Sequence, residues 1–216
     1  MRSLCRIMSL LLFLGCAVAS ADSDWQLEKD KDGIQVYSRA VDGWNIREIR
    51  GVTTFHGTLG SLVAVIDDPA MGPKLNEFVV ESKIKQRDSD TRYLLYSRIS
   101  MPWPLSDRDV LNQRVITQDP NTLAVTIVDT ATQGLMPVNK NLVRIVHSRQ
   151  QWILVPHKGD VAVELRWLSD PGGPIPSALI NTLSVSTPFN TIDELRQLAT
   201  RPPYAQAKPA FIKEPQ

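Results

Sequence analysis

Cysteine is almost missing from this 216-residue chain: Cys5 and Cys16 are its only two, and both fall within the first 21 residues. Those residues have the layout of a secretory signal peptide. Arg2 and Arg6 make a basic start, Met8 to Cys16 an apolar run, and Ala19-Ser20-Ala21 a cleavage site ahead of Asp22. Cleavage there leaves a mature chain without disulfides or a thiol nucleophile. The apolar run is too short to span a bilayer. An alternative makes Cys16 the lipidated first residue of an anchored lipoprotein, with Leu14-Gly15 before it. Charge imbalance is missing too. Without Arg2 and Arg6 the chain has 22 basic and 23 acidic residues, a net charge of −1, and no basic face, which argues against nucleic acid as a partner. The three histidines, His56, His147 and His157, are scattered and share no metal-ligand spacing. No Gly-x-Ser-x-Gly elbow, phosphate-cradling loop or dinucleotide fingerprint occurs, so no catalytic motif, metal or cofactor is expected.

What remains is about 195 residues, enough for one domain with a substantial core. Most of it reads as strand and turn. Short strands flank Lys31-Asp32-Gly33, another covers Ile46–Phe55, and Ser61 can cap a short helix over Leu62–Ile66, with a further helical turn near Met71–Leu75. Strand patterns then follow at Phe78–Lys85, Arg92–Ser100, Val110–Thr117, Leu123–Thr130, Leu142–Val155 and Val161–Leu168. Only at the end does the period change. After Asp170-Pro171-Gly172-Gly173-Pro174-Ile175-Pro176, the residues Ile175, Leu179, Leu183, Ile192, Leu195 and Ala199 recur at helical spacing. Pro188 should kink that helix. An α+β architecture follows, in which a curved antiparallel sheet is closed by one long helix. Such a shell either packs solid or encloses a cavity. Residues 22–200 form the domain, and the Pro-rich stretch 201–216 reads as a flexible tail.

Alternation along two hairpins nominates the inner face. If Asp119 opposes Thr122, then Val110, Asn112, Arg114 and Ile116 share a face with Leu123, Val125, Ile127 and Asp129, with Arg114 and Asp129 as diagonal neighbours. If Pro156 opposes Val161, then Trp152, Leu154, Val163, Leu165 and Trp167 share a face with Leu142, Arg144 and Val146. Apolar faces broken by one or two charges describe a ligand chamber with a polar handle, or equally a core with a buried ion pair. In the run Asp107-Arg108-Asp109, the central arginine reads as an ion-paired turn holding its loop to the barrel rim. Met101, Trp103 and Leu105 around two prolines form either a membrane-touching tip or a flap under the last helix.

Taken in order, Pro102-Trp103-Pro104-Leu105-Ser106-Asp107-Arg108-Asp109, Leu142-Val143-Arg144 and Asp170–Pro176 leading into Leu179-Ile180-Asn181 resemble the START family of StAR-related lipid transfer domains. The opening Trp25-Gln26-Leu27 and Gly33–Arg39 fit as well, so the resemblance spans about Asp24 to Ala199. It implies a helix-grip (START/Bet v 1-like) fold with a lipid tunnel between sheet and helix, and transfer or sensing of lipid rather than catalysis. It also implies an entrance formed by about Ser100–Asp107 and Pro174–Ala199. The family's cavity arginine falls at Arg114. The acidic partner of its sterol binders would lie near Tyr96–Arg98, where this chain has none, and Asp129 is the available substitute.

The expectation is therefore a monomeric protein of the bacterial cell envelope, exported to the periplasm, that holds one lipid or similar amphipathic molecule and touches membranes transiently. Arg114, Asp129, Asn112 and Arg144 are its candidate polar handle, and Ile116, Val125, Ile127, Trp152, Leu165 and Trp167 its apolar wall. Met101, Trp103, Leu105, Leu179, Leu183, Pro188 and Ile192 are its candidate lid and entrance. The alternative is a cyclase or hydratase acting on a small hydrophobic substrate, with Arg114–Asp129 as its acid–base pair.

Overall fold

The computed structural model describes residues 24–175 and 177–215; of 177–179 and 181–184, only the backbone. The segment read as a signal peptide, Cys16 included, lies outside the described residues.

Ten strands and three α-helices are present among the described residues. β1 (Gln26–Lys31), β2 (Ile34–Ala40) and β3 (Arg47–Phe55) precede α1 (Leu59–Asp67) and the single turn α2 (Gly72–Leu75). β4 (Val79–Ser89), β5 (Arg92–Ile99), β6 (Arg108–Gln118) and β7 (Val125–Ala131) follow. Then come β8 (Val143–Arg144), β9 (His147–His157), β10 (Asp160–Asp170) and α3 (Ser177–Ala199). The curved sheet runs β1-β2-β3-β10-β9-β7-β6-β5-β4, antiparallel throughout that order, with β8 added parallel to the start of β6. Two hairpins turn through residues at positive φ, Asp32-Gly33 (53° and 72°) and Lys158-Gly159 (51° and 89°), as two-residue loops on right-twisted strands require.

The β9–β10 register is the predicted one, with Val161 opposite Pro156 and Leu165 opposite Trp152. The β6–β7 register is shifted by two residues. Asp119 Oδ1 accepts from the amides of Asn121 and Thr122, Leu123 takes φ 59°, and Asp119 faces Ala124 rather than Thr122. Arg114 consequently lies directly opposite Asp129 instead of diagonal to it. The predicted strand Leu142–Val155 is broken. Val143 and Arg144 pair with Arg108 and Asp109, and β9 starts only at His147.

One core fills half the interior. Phe189, Ile192, Leu195 and Ala199 of α3 pack on Ile34, Val36, Ile49 and Phe55 of the sheet and on Leu59, Leu62, Val63 and Ile66 of α1. The helix and β3 approach so closely that a Cβ on Gly51 would stand 2.4 Å from Ile192 Cδ1. Thr58, not Ser61, caps α1: its Oγ1 accepts from the Ser61 amide at 3.1 Å, because Thr58 is the last extended residue before the helix.

The stretch read as a flexible tail is instead docked. Tyr204 donates to Asp68 Oδ2 at 2.6 Å, and burial together with that bond pushes its hydroxyl up to about 12. Phe211 and Ile212 pack against the core, Gln118 exchanges hydrogen bonds with the Lys213 backbone, and the Glu214 carboxylate accepts from the amides of Leu59 and Gly60 at 3.2 and 2.6 Å. An anion there meets the positive end of α1 and occupies amides that otherwise lack partners. Glu214→Ala is expected to lower stability by about 1–2 kcal/mol. Unchanged chemical denaturation would show that the docking contributes nothing.

Candidate functional site

Beside the packed core, two adjoining chambers lie between the sheet and α3, and their linings share Asn76 and Trp167. The outer chamber, about 140 Å3, is largely apolar, with Ile49, Phe78, Ile99, Met101, Ile145 and Ile180 in its walls. It lies where β5 ends, β6 begins and β10 runs into Pro171, under the helix half that precedes Pro188. The inner chamber, about 100 Å3, is bounded by the segment around α2 and by Leu95, Asn112, Arg114, Asp129, Trp152 and Leu165. Two buried polar atoms in these linings have no hydrogen-bond partner, Asn112 Oδ1 in the inner and Thr187 Oγ1 in the outer chamber.

Arg114 and Asp129 come together as anticipated, but their polar atoms are spent on the protein. Arg114 Nε and Nη2 donate to the two Asp129 oxygens at 2.7 and 2.6 Å, and Nη1 donates to the Ile66 carbonyl at 2.5 Å. That carbonyl belongs to the last turn of α1, where a cation is favoured by the helix dipole. Burial alone would push the guanidinium down, but Asp129 outweighs it and the net direction is up. Beneath it the Tyr93 hydroxyl donates to the Asp67 carboxylate, and burial raises it far above the usual phenol range. The pair thus stitches β6, β7 and α1 together. Each carboxylate oxygen is held by one guanidinium N–H, so a substrate proton would compete with that pairing.

Family membership rests on whole-chain comparisons. No protein-family model matches the chain. The solved structure of a STAR-related lipid transfer protein from Xanthomonas axonopodis aligns at TM-score 0.75 with 34% sequence identity, covering 82% of this chain and 99% of that one. The chain belongs to the StAR-related lipid transfer family. An uncharacterized protein of Pseudomonas aeruginosa is 33% identical over 190 residues, covering 87% of this chain and 92% of its own. The phosphatidylcholine transfer protein of Rattus norvegicus is 25% identical over 168 residues, covering 76% of this chain and 78% of its own.

Within this START fold the sequence-predicted residues divide. Asn112, Trp152, Leu165 and Trp167 line the chambers, and Met101 lines the outer one. Ile116, Val125 and Ile127 do not; they lie deeper, in the packed core toward the end that α1 and the docked tail close. Arg144 is also removed from the cavity. It forms a bidentate pair with Asp109 at 2.7 and 2.9 Å, and Asp109 points to the opposite side of β6 from Asn112 and Arg114. Arg108 does not pair with its neighbours Asp107 and Asp109 as the turn reading had it: its partners are the Ser106, Pro171 and Gly172 carbonyls. Asp107 accepts instead from Ser100 and the Met101 amide. Ile192 is wholly buried in the solid core, so it anchors the helix rather than moving with a lid. Pro188 lies between Thr187, which lines the outer chamber, and Phe189, which packs in the core. The side chains of Leu179 and Leu183 lie outside the described residues.

Trp103 does not tuck under the last helix, since its indole is 92% exposed, whereas Met101 lines the outer chamber. Sequence reasoning missed Arg47, Asn76, Phe78, Ile99, Arg108, Ile145, Ser169 and Thr187 as chamber residues. Three of them carried a signal: Arg108 sits inside the Pro102–Asp109 run, Thr187 inside the Pro174–Ala199 helix expected at the entrance, and Ser169 two residues beyond Trp167 on the same face.

Proposed function

We propose that this protein binds one amphipathic lipid in the two-chambered cavity and carries it between membranes of the cell envelope, after export directed by residues 1–21. The observation that carries the reading is a mainly apolar outer chamber beneath α3, adjoining an inner chamber of mixed polar and apolar lining, in a chain of the StAR-related lipid transfer family. Removing hydrocarbon from water supplies the affinity. Each methylene is worth roughly 0.8 kcal/mol, so a twelve-carbon tail gains about 10 kcal/mol before association costs. An apolar cavity of about 150 Å3 takes a guest the size of benzene, so a long chain needs more room than the closed chambers hold. The roof supplies it. The N-terminal half of α3 swings outward about Pro188, where the missing N–H already removes a helix hydrogen bond, while Phe189, Ile192 and Leu195 keep the other half seated.

Native mass spectrometry of freshly purified protein, with extraction of whatever is bound, tests the reading. Protein that arrives empty and takes up nothing from vesicles of phosphatidylethanolamine and phosphatidylglycerol would end it. The exposed Trp103 tip is the membrane contact, because an indole is favoured at the water–lipid boundary. Trp103→Ala is expected to slow transfer between vesicles by roughly tenfold to a hundredfold, the loss of roughly 1.5–3 kcal/mol of interfacial burial, with equilibrium lipid binding unchanged. Equal transfer rates would place the contact elsewhere.

A further inference from the structure

The next step rests on that reading and concerns the head of the lipid. The described lining of the outer chamber contains two arginines, Arg47 and Arg108, and no carboxylate. Its roof adds none, since from Pro171 to Ile192 the chain carries no ionisable side chain at all. Arg108 is only 2% exposed. Its Nη1 donates to the Ser106 carbonyl, its Nη2 to Gly172 at 3.1 Å and its Nε to Pro171 at 3.4 Å. Carbonyls satisfy these donors without cancelling the charge, and one N–H on each terminal nitrogen is left over. Burial depresses this guanidinium, and Asp107 is the one carboxylate that pulls it back. Arg47, an exposed residue that lines the same chamber, donates to Ser38 and Gln26, neither of them acidic; Glu28 is reached only through the Ser38 hydroxyl. Thr187, 3% exposed, adds an unpartnered hydroxyl to the same lining. A buried cation without a counter-ion and a buried donor without an acceptor are both costly, and a single group cures both.

We propose that the outer chamber receives a lipid whose head carries a net negative charge, a carboxylate or a phosphate diester with no cationic group attached, facing Arg108 and Arg47 and accepting a hydrogen bond from Thr187. The tail runs past Trp167 toward the inner chamber. The Arg114–Asp129 pair there is neutral overall, so it attracts a charged head less than Arg108, which has no carboxylate bonded to it.

Two matched pairs isolate the charge: oleate against oleyl alcohol, and phosphatidylglycerol against the diacylglycerol with the same tails. Each is radiolabelled, doped into phosphatidylcholine vesicles and offered to the full-length protein, which is then recovered and counted. The anionic member of at least one pair should be taken up tenfold or more over its neutral twin, and which pair shows it separates carboxylate from phosphate. Arg47→Gln and Thr187→Val should each bring the ratio down severalfold, and Arg108→Gln to near one. The first two leave the Ser106, Pro171 and Gly172 carbonyls paired, so they report even if the third variant unfolds. A ratio near one in both pairs, or uptake of the zwitterionic host lipid alone, overturns the anionic head and leaves carriage standing. A ratio that all folded variants retain overturns the residue assignment. Uptake of no lipid at all overturns the carrier reading beneath it.

Discussion

Asp129→Asn is expected to lower the unfolding free energy by about 3–5 kcal/mol, one of the two largest effects of any substitution near the chambers. The side chains of Arg114 and Asp129 are 7% and 5% exposed, and each of the two carboxylate oxygens takes one guanidinium N–H. Removing the carboxylate's charge while keeping its shape strands a buried cation, the situation in which breaking an ion pair costs most. Melting should fall by roughly 6–20 °C for a domain of this size. The double variant Arg114→Met with Asp129→Leu should recover most of that loss, because it removes the desolvation cost of both charges together. A loss under about 1 kcal/mol in the single variant would mean that water reaches the pair through the inner chamber. The same variant separates the carrier from an enzyme that uses Asp129 as a base: at temperatures where it stays folded, lipid uptake should persist, since the tail's burial does not depend on this carboxylate.

How much of this was legible in the sequence depends on how far each interaction reaches along the chain. Strands and hairpin turns were readable because period-two alternation and residues such as Asp32-Gly33 and Lys158-Gly159 act locally. The faces of β6 and β7 were readable even though their register was not. A four-residue loop replaced the expected two-residue turn, and a shift of two positions leaves every side chain on its own face. Arg144 failed for the complementary reason: where the strand breaks at Ile145, parity is no longer inherited from β9, and Asp109 on a parallel neighbour captures the guanidinium. The docked tail was illegible because Asp68, Gln118 and the α1 amides that hold it are about 95 to 155 residues away in sequence. Arg108 was visible as a charge but not as a chamber residue, since its partners are main-chain carbonyls that leave no mark on composition.

Filling the cavity without touching the packed half is expected to abolish carriage while sparing the fold. Ser169 is suited to this. It lies on β10 two residues beyond Trp167, on the same face, and its small side chain lines the outer chamber. Ser169→Trp places an indole where hydrocarbon would lie. A guest that loses four buried methylenes forfeits about 3 kcal/mol, so lipid affinity should drop roughly a hundredfold or more. Stability should stay within about 1 kcal/mol of the parent or rise, because the new ring enters empty apolar space instead of displacing neighbours. The contrast with Gly51→Val is the control. There the added side chain meets Ile192 in the solid core, so stability should fall by about 1–3 kcal/mol while a folded fraction still binds lipid. If Ser169→Trp bound and transferred lipid as well as the parent, the guest could not occupy the outer chamber. Neither the carriage route nor the placement of a charged head beside Arg108 would then survive.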